Sequence, residues 1–489
     1  MTTSKSKYIG KDLSRARDEV SFYEKILARA PNASCDALGG MCDFMFPYLG
    51  ILKAKEEGQE EVELDLLVLE NLFDGKKQLR LLDLKMGSST ASAGWQGKSR
   101  FRAFKQQLFD KTTNSVKEGY RLEGFDGCPQ ALKTMVPLIE HMMQDKGDSK
   151  ASKKSRRVMF QQLEGTKIFQ HLLDIHLEHS TDNDETMYDS DEYLEITMHE
   201  IVKRLTKLAI ACHAVSIPQK WIGSSLAIGF DAGEVPNRSK TEEDIRNSAI
   251  VRVFDWGRSE LNDTNHMNTL TESEIEDREF FWEQYKTGMN TISWVATHKY
   301  LNRFCCASWE SVTFLVYDHD SVGNDDFMCS ATVLLKETEM KKRPLLTKRG
   351  GKGGTLTYSI EWKEFEENSR MKGAWKITIV SGEDLPNLDI GVANLCGSAT
   401  QASDPYVIIR PLPSSKQESP FVFEQITTVK ENNLHPVWNE HFSIPVSHTG
   451  SDLLQEAFDD AELSPSDAVI SKSKSSWVER VKATITKAD

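Results

Sequence analysis

No apolar run in this 489-residue chain approaches the length of a bilayer-crossing helix. The N-terminus, MTTSKSKYIGKDLSRARDEV, is polar and has no hydrophobic stretch of the signal-peptide kind. Cys-x-x-Cys pairs are missing as well. The eight cysteines, at 35, 42, 128, 212, 305, 306, 329 and 396, are scattered, as expected for reduced thiols in a cytosolic or nuclear protein. A surplus of basic charge is also lacking: the net charge of −14 argues against a general nucleic-acid binder while leaving local pockets open. No repeat of fixed period is present.

What is present fits a soluble globular protein, with 39% apolar and 27% charged residues and a length suited to two or three domains. Three charged stretches stand out: KGDSKASKKSRR at 146–157, a basic run at 336–352 and an acidic one at 182–195. Each reads first as a solvated loop. Periodicity predicts an amphipathic helix over 13–30, strands in FMFPYLGILKA and VELDLLVLENLF around a charged turn, and a further strand in LRLLDLKMG. Residues 99–111 are expected to be helical, with Phe101, Phe104 and Leu108 spaced for one buried stripe. SSLAIGFD (224–231) and IVRVFDW (250–256) are expected to pair as a hairpin, and the polar segments 144–157 and 179–193 to be loops. Beyond about residue 300, alternating strands point to an all-β domain, and after residue 450 the chain reads as a polar tail.

The densest chemistry is Asp83-Leu-Lys85-Met-Gly87 at the end of an apolar strand. Alternation puts Asp83 and Lys85 on one side, where a carboxylate can orient a hydroxyl and an ammonium can neutralise a transferring phosphoryl group. An ordinary surface ion pair would give the same pattern. Asp255 also ends an apolar strand, a good position for holding the magnesium that bridges nucleotide phosphates. Lys98, Arg102 and Lys105, with Arg100 close by, would line one helix face suited to an anionic polyphosphate, or would simply be solvated.

These segments resemble the inositol polyphosphate kinase family, and they occur in its order. DEVSFYEKIL (18–27) resembles an early R-E-x-x-F-Y-E helix, and LVLENLF (67–73) the nucleotide hinge. LDLKMGSST resembles the P-x-x-x-D-x-K-x-G signature, and TTNSVKEGYRLEG (112–124) a segment ending in L-G-x-R-x-x-G. GSSLAIGFD, VRVFDWG and REFFWEQYKTGMNTI (278–292) resemble the S-S-L-L strand, the metal-binding I-D-F strand and the closing helix. The resemblance implies a two-lobed α+β kinase over residues 1–300. Asp83 would be the acid/base contact and Lys85 a substrate or γ-phosphate ligand. Asp255 and Ser225 would bind metal, and Glu70 would meet adenine. Leu79, Ala227 and the Trp-Gly after Asp255 depart from the family pattern. Met1 lies close to the first matched helix, so the opening strands of the nucleotide lobe are expected to be short or missing, with Lys11, then Lys7, the candidates for its lysine.

A P-loop reading of SAGWQGKS (92–99) is weaker, because Ser92 occupies the first glycine position and Trp95 would crowd a phosphate cradle. Downstream, YDHDSVGNDDF (317–327) crowds Asp318, Asp320 and Asp326 onto one loop, a repulsion that a hard cation would relieve, although an acidic exposed turn would give the same pattern. An EF-hand is excluded, since Val322 and Cys329 stand at its fifth and twelfth positions. With WKITIVSGEDLPNLD, SDPYVIIRPL and HPVWNEHFSIPV, residues 301–450 resemble a C2 domain, which implies calcium ligands at Asp389, Asp404, Asp318, Asp320 and Asp326. The half usually second (308–362) precedes the half usually first (374–447). One composite sandwich in permuted order is favoured over two truncated domains, whose half-cores and edges would be exposed.

The expected whole is an ATP- and Mg2+-dependent kinase for an inositol polyphosphate or phosphoinositide, followed by a calcium-responsive sandwich and a tail at 451–489. It is expected in the cytoplasm, with the nucleus and the periphery of an anionic membrane as further locations, and is expected to bind no nucleic acid. The alternative is a catalytically impaired adaptor that acts through its C2-like part.

Overall fold

Alternating runs around charged turns build the first sheet. The computed structural model describes residues 7–13, 17–29, 38–55, 63–92, 95, 99–126, 158–173, 188–233, 237–306, 308–319, 325–367, 369–389, 402–413 and 424–448. Strand β1 (Tyr8–Asp12), helices α1 (Arg17–Arg29) and α2 (Gly39–Cys42), and strands β2 (Tyr48–Lys55) and β3 (Glu63–Glu70) form the small lobe. Its antiparallel sheet has the order β1-β3-β2, with Lys11 opposite Leu67. An opening strand therefore does precede α1.

The larger lobe is laid around strand β4 (Leu79–Met86). Helices α3 (Arg100–Asp110) and α4 (Ser115–Glu118) lead into β5 (Tyr120–Asp126), then α5 (Gly165–Leu173) and α6 (Ser190–Ala214). The short β6 (Lys220–Trp221), β7 (Ser225–Asp231), α7 (Glu242–Asn247), β8 (Ile250–Phe254), β9 (Ser259–Glu260), α8 (Thr264–Met267) and α9 (Glu272–Phe304) follow. The expected hairpin forms inside an antiparallel sheet of order β5-β4-β7-β8. Leu82, Leu84 and Met86 turn one face to the core, where α6 and α9 run side by side. Asp83 and Lys85 lie on the opposite face.

Two expectations fail for identifiable reasons. From Tyr188 on, the acidic stretch is not a solvated loop: Asp189 caps α6, and Asp191, Glu192 and Glu195 are buried in its first turns, while 182–187 lie outside the described residues. The stripe on α3 is not buried: Phe101, Phe104 and Leu108 are exposed, and the helix instead turns Ala103 and Asp110 inward. Periodicity reported a stripe but could not say which way it faces.

The second half is one composite sheet of eight strands. They are β10 (Trp309–Asp318), β11 (Asp326–Leu334), β12 (Thr338–Leu346), β13 (Lys352–Glu364), β14 (Met371–Glu383), β15 (Pro405–Pro413), β16 (Gln425–Ile426) and β17 (Val437–Ser447). The order β16-β15-β10-β11-β12-β13-β14-β17 interleaves the two sequence halves, since β10 pairs with β15 and β13 with β14. Side chains then draw the edge strands together: Gln425 accepts from the Ser443 amide, and Glu440 accepts from the Thr428 amide. The permuted halves thus make a single sandwich. The basic run is not a loop either; Lys341, Lys342 and Arg343 stand exposed along β12.

Phe365, Met371 and Ala374 of this sandwich belong to the apolar core of the N-terminal half. Beside them Lys376 donates to Asp189 at 3.0 Å and Asp191 at 2.7 Å, and Arg303 meets Asp191 at 3.2 Å. Lys363 adds a contact to Asp189 at 2.9 Å, and the Ser443 hydroxyl donates to Asp191. Strand β14 begins at this junction, with Met371 and Ala374 in the shared core, and the opposite ends of β10 and β11 carry Asp318 and Asp326.

Candidate active site and calcium pole

The cleft is assembled from strand ends. Asp255 follows β8 with φ +64°, in the left-handed region where Asp is tolerated better than most residues. Trp256 fixes it there: this buried ring stacks on Phe22 of α1 at 4.4 Å and meets Trp221 edge-on at 5.1 Å. The Trp that departs from the family pattern is therefore the anchor of the turn. Lys11 reaches Asp255 Oδ1 at 3.0 Å and Lys85 reaches Oδ2 at 3.3 Å. Burial pushes the Asp255 carboxyl up, but Lys85 and Lys11 together hold it below the usual carboxylate range. Burial pulls Lys11 down, yet Asp255 and Glu19 more than offset that and raise it.

Glycines shape the space around these groups. Gly87 (φ +92°) turns the chain after Lys85, and its amide donates to Gly119 O at 2.8 Å. A side chain on Gly119 would lie 2.7 Å from the Gly288 Cα, so this pair lets α9 press directly on the turn. The two other departures, Leu79 and Ala227, share one small apolar cluster with Ile250, so a larger residue at one sits with a smaller residue at the other.

Asp83 lies one register step from this ion cluster, opposite Ala227 and Gly124, and Ser225 stands opposite Lys85. Glu70 ends β3 beside a cavity of about 230 Å³ that Lys7, Asn71 and Arg252 also line. Lys7 lies beside the end of β3, where its carbonyl accepts from the Asn71 amide, while Lys11 alone of the two reaches Asp255. Arg100, Arg102 and Lys105 are exposed on α3; Lys98 lies outside the described residues. The P-loop reading finds no support where the chain is described. Ser99 caps α3 by accepting from the Arg102 amide, and Trp95 packs over Lys220 at 3.7 Å.

Sequence reasoning missed Glu19, a buried carboxylate on α1 that accepts from Lys11 at 2.6 Å. It lay within the quoted DEVSFYEKIL segment, where its spacing from Lys11 gave no signal. Arg121 and Asp110 were missed as well. They form a buried pair at 2.8 Å, and Asp110 also accepts from the Thr90 amide at 2.7 Å, locking α3 beneath the loop after Gly87. The carboxylate oxygens of Asp255 are donors of the kind a hard cation takes, and both now meet ammonium groups that a bound cation would displace.

At the sandwich pole, Asp318 and Asp326 are paired across β10 and β11, and Asp318 Oδ1 accepts from the Asp404 amide at 2.6 Å. Asp404 is pushed up by burial and by the charge of Asp318, a repulsion that calcium would relieve. Asp389 is brought to the same end, since the neighbouring Leu388 amide donates to Ser403 at 2.8 Å. Asp320 lies outside the described residues. Among the described residues no three metal-ligating side chains are already gathered tightly enough to hold an ion. Asp325, not foreseen, instead binds His319 at 3.0 Å and the Tyr406 hydroxyl at 2.7 Å.

Residues 66–282 match the inositol polyphosphate kinase family, and residues 293–348 and 373–481 match the C2 domain family. The chain joins an inositol polyphosphate kinase domain to a C2 domain. Among solved structures it is similar to inositol phosphate multikinase Ipk2 from S. cerevisiae in complex with ADP and Mn2+. That likeness has 18% identity over 60% of this chain and 98% of that one, with a TM-score of 0.39. A second inositol phosphate multikinase structure is 16% identical over 57% of this chain and 99% of that one, with a TM-score of 0.32. Synaptotagmin-1 of Homo sapiens and of Rattus norvegicus are each 31% identical over 138 residues, 28% of this chain. The chain spans only 27% of the length of these synaptotagmins.

Proposed function

We propose that the kinase domain transfers the γ-phosphoryl group of ATP to a hydroxyl of an inositol polyphosphate or phosphoinositide. The observation that carries this reading is the convergence of Lys11 and Lys85 on Asp255, with Asp83 two residues before Lys85 on the same face of β4. Two ammonium groups held by one carboxylate are a ready seat for a polyphosphate, whose oxygens would take over part of that pairing. Glu19 keeps Lys11 aimed. Asp83 would accept the proton of the attacking hydroxyl, and Lys85 would offset charge on the phosphoryl group in flight. Glu70 would meet adenine at the hinge, and Lys98, Arg100, Arg102 and Lys105 would read the phosphates of the acceptor. Asp255 and Ser225 would hold Mg2+, which when bound would offset the charge of the nucleotide phosphates.

At the C2 pole, Asp318, Asp320, Asp326, Asp389 and Asp404 would hold Ca2+ and bring the protein to anionic membranes from the cytoplasm or nucleus. The impaired-adaptor reading is weaker, because a strand precedes α1 and Lys11 on that strand reaches Asp255. Asp83→Asn is the direct test. Turnover on an inositol phosphate should fall by about 10²–10⁴ while ATP binding survives. Near-normal turnover would remove Asp83 from the mechanism.

A further inference from the structure

Helix α3 presents an apolar stripe to solvent, opposite the face it buries. Phe101 is 75% exposed, Phe104 58% and Leu108 47%. At about 100° per residue these three fall within roughly 60° of arc, and Ala103 and Asp110, the buried positions, lie on the far side. The orientation is held firmly. Asp110 is tied to Thr90 and Arg121, Gln107 donates to Ala91 O at 3.3 Å, and Ser99 caps the N-terminus. Large apolar side chains fixed outward on a rigid helix make a surface that needs a partner.

The charge around the stripe identifies that partner. Lys105 flanks one side, Arg100 and Lys111 the other, and Arg102 lies nearby; all four are exposed, and the three assigned above to the acceptor's phosphates would meet a lipid acceptor at the headgroup plane. Among the described residues none of them has an ion-pair partner. The only acidic residue of α3, Asp110, is neutralised by Arg121. This basic island sits on a chain of net charge −14, whose overall field would repel an anionic surface. Basic residues bordering exposed Phe and Leu on one helix face are the pattern of a helix lying in the headgroup region of an anionic bilayer.

We propose that α3 docks the kinase domain on anionic phospholipid membranes without calcium, with Phe101, Phe104 and Leu108 entering the interface. Because Thr90 and Asp110 tie α3 to the turn after Lys85, docking holds the cleft close to lipid headgroups. The acceptor favoured at this site is then a membrane-borne phosphoinositide, a consequence that rests on the kinase reading above, whereas the docking does not.

The test uses the full chain in EGTA, so that any calcium-dependent contact is silent. Wild type should sediment with phosphatidylcholine vesicles that contain phosphatidylserine, less with phosphatidylcholine alone, and less again at high salt. F101S should weaken partition about tenfold, and F101S/F104S/L108S should abolish it, with the melting temperature unchanged. The triple variant should keep turnover on a soluble inositol phosphate and lose it on a vesicle-borne phosphoinositide. Equal vesicle binding by wild type and triple variant, or binding only when calcium is present, would overturn the proposal. So would sedimentation showing a wild-type dimer that the triple variant converts to monomer, because the stripe would then join two copies. Vesicle binding that fails the prediction counts against docking alone; absence of turnover on every acceptor counts against the kinase reading.

Discussion

Two of the ionic clusters among the described residues, each an aspartate between two cations, sit in opposite environments. In the cleft, Asp255 meets Lys11 and Lys85 with its side chain 38% exposed and its backbone at φ +64°. At the junction of the domains, Asp191 meets Lys376 and Arg303 with its side chain 2% exposed, in the first turn of a capped helix. Burial would push Asp191 up, but Lys376 and Arg303 hold it well below the usual range; burial pulls Lys376 down, and Asp191 and Asp189 raise it. The junction cluster is dry, unstrained and complete. The cleft cluster is wet, strained and open to exchange of its partners. Desolvation, not residue type, separates a structural ion cluster from one able to receive a ligand.

The junction should yield the largest effect on stability. Asp191→Ala leaves two cations without their carboxylate in a buried site, and breaking a buried pair this way destabilises by about 3–5 kcal/mol. Urea denaturation of the full chain should show it. Because α6 and the sandwich share the cluster, hydrogen exchange should rise in both domains. A double variant, Asp191→Leu with Lys376→Met, should recover part of the loss, since apolar packing can replace a buried ion pair. A shift below about 1 kcal/mol would mean that the domains merely touch.

Acid sharpens the contrast at a somewhat smaller scale. Asp191 is depressed in the fold, so its contribution is present above its unfolded value of about 4 and is lost as pH falls through the folded one. Lys376 is raised, so its contribution is present below about 10.4 and is lost as pH rises through its folded value. Between those limits the junction should be insensitive to pH. His171 behaves differently: burial, and then Arg80, push it down to about 4, and its Nε2 lies 2.9 Å from Asp126 O. Its neutral form belongs to the fold, so stability should drop by up to about 3 kcal/mol as pH falls from about 6.5 to about 4. Urea midpoints across that window should follow this slope in wild type and flatten in His171→Gln.

Much of this was legible in sequence, for physical reasons. Strands with strict alternation, such as LRLLDLKMG, announce both their pairing and the shared face of Asp83 and Lys85, because period two leaves no other choice. The two halves of the C2 domain could be joined on paper because unpaired edges and half-cores are unstable. Contacts made only in three dimensions were not legible: Glu19 with Lys11, Arg121 with Asp110, and the acidic run whose Asp189 and Asp191 are answered by Lys376 some 185 residues away. An acidic stretch looks solvated until its partners are known. The stripe on α3 was visible as a pattern, but its outward direction depends on Asp110 being pulled inward by Thr90 and Arg121.

The smallest stability effect is expected at Asp255, and it is the sharpest test of the comparison. Two pulls oppose one another there. Removing the carboxylate weakens contacts to Lys11 and Lys85 in a cluster that solvent reaches, and such exposed pairs contribute about 0–1 kcal/mol. Changing the residue also alters the backbone strain of the left-handed region, about 1–2 kcal/mol for an ordinary side chain but little for Asn or Gly. Asp255→Asn should therefore leave stability within about 1 kcal/mol of wild type, Asp255→Gly should equal or exceed it, and Asp255→Ala should be the least stable of the three. All three should lose magnesium-dependent ATP binding, read by calorimetric titration beside urea denaturation of the same preparations. If Asp255→Asn instead destabilised the protein as much as Asp191→Ala, the cleft cluster would be a second structural clamp, and the distinction drawn from exposure and strain would fail.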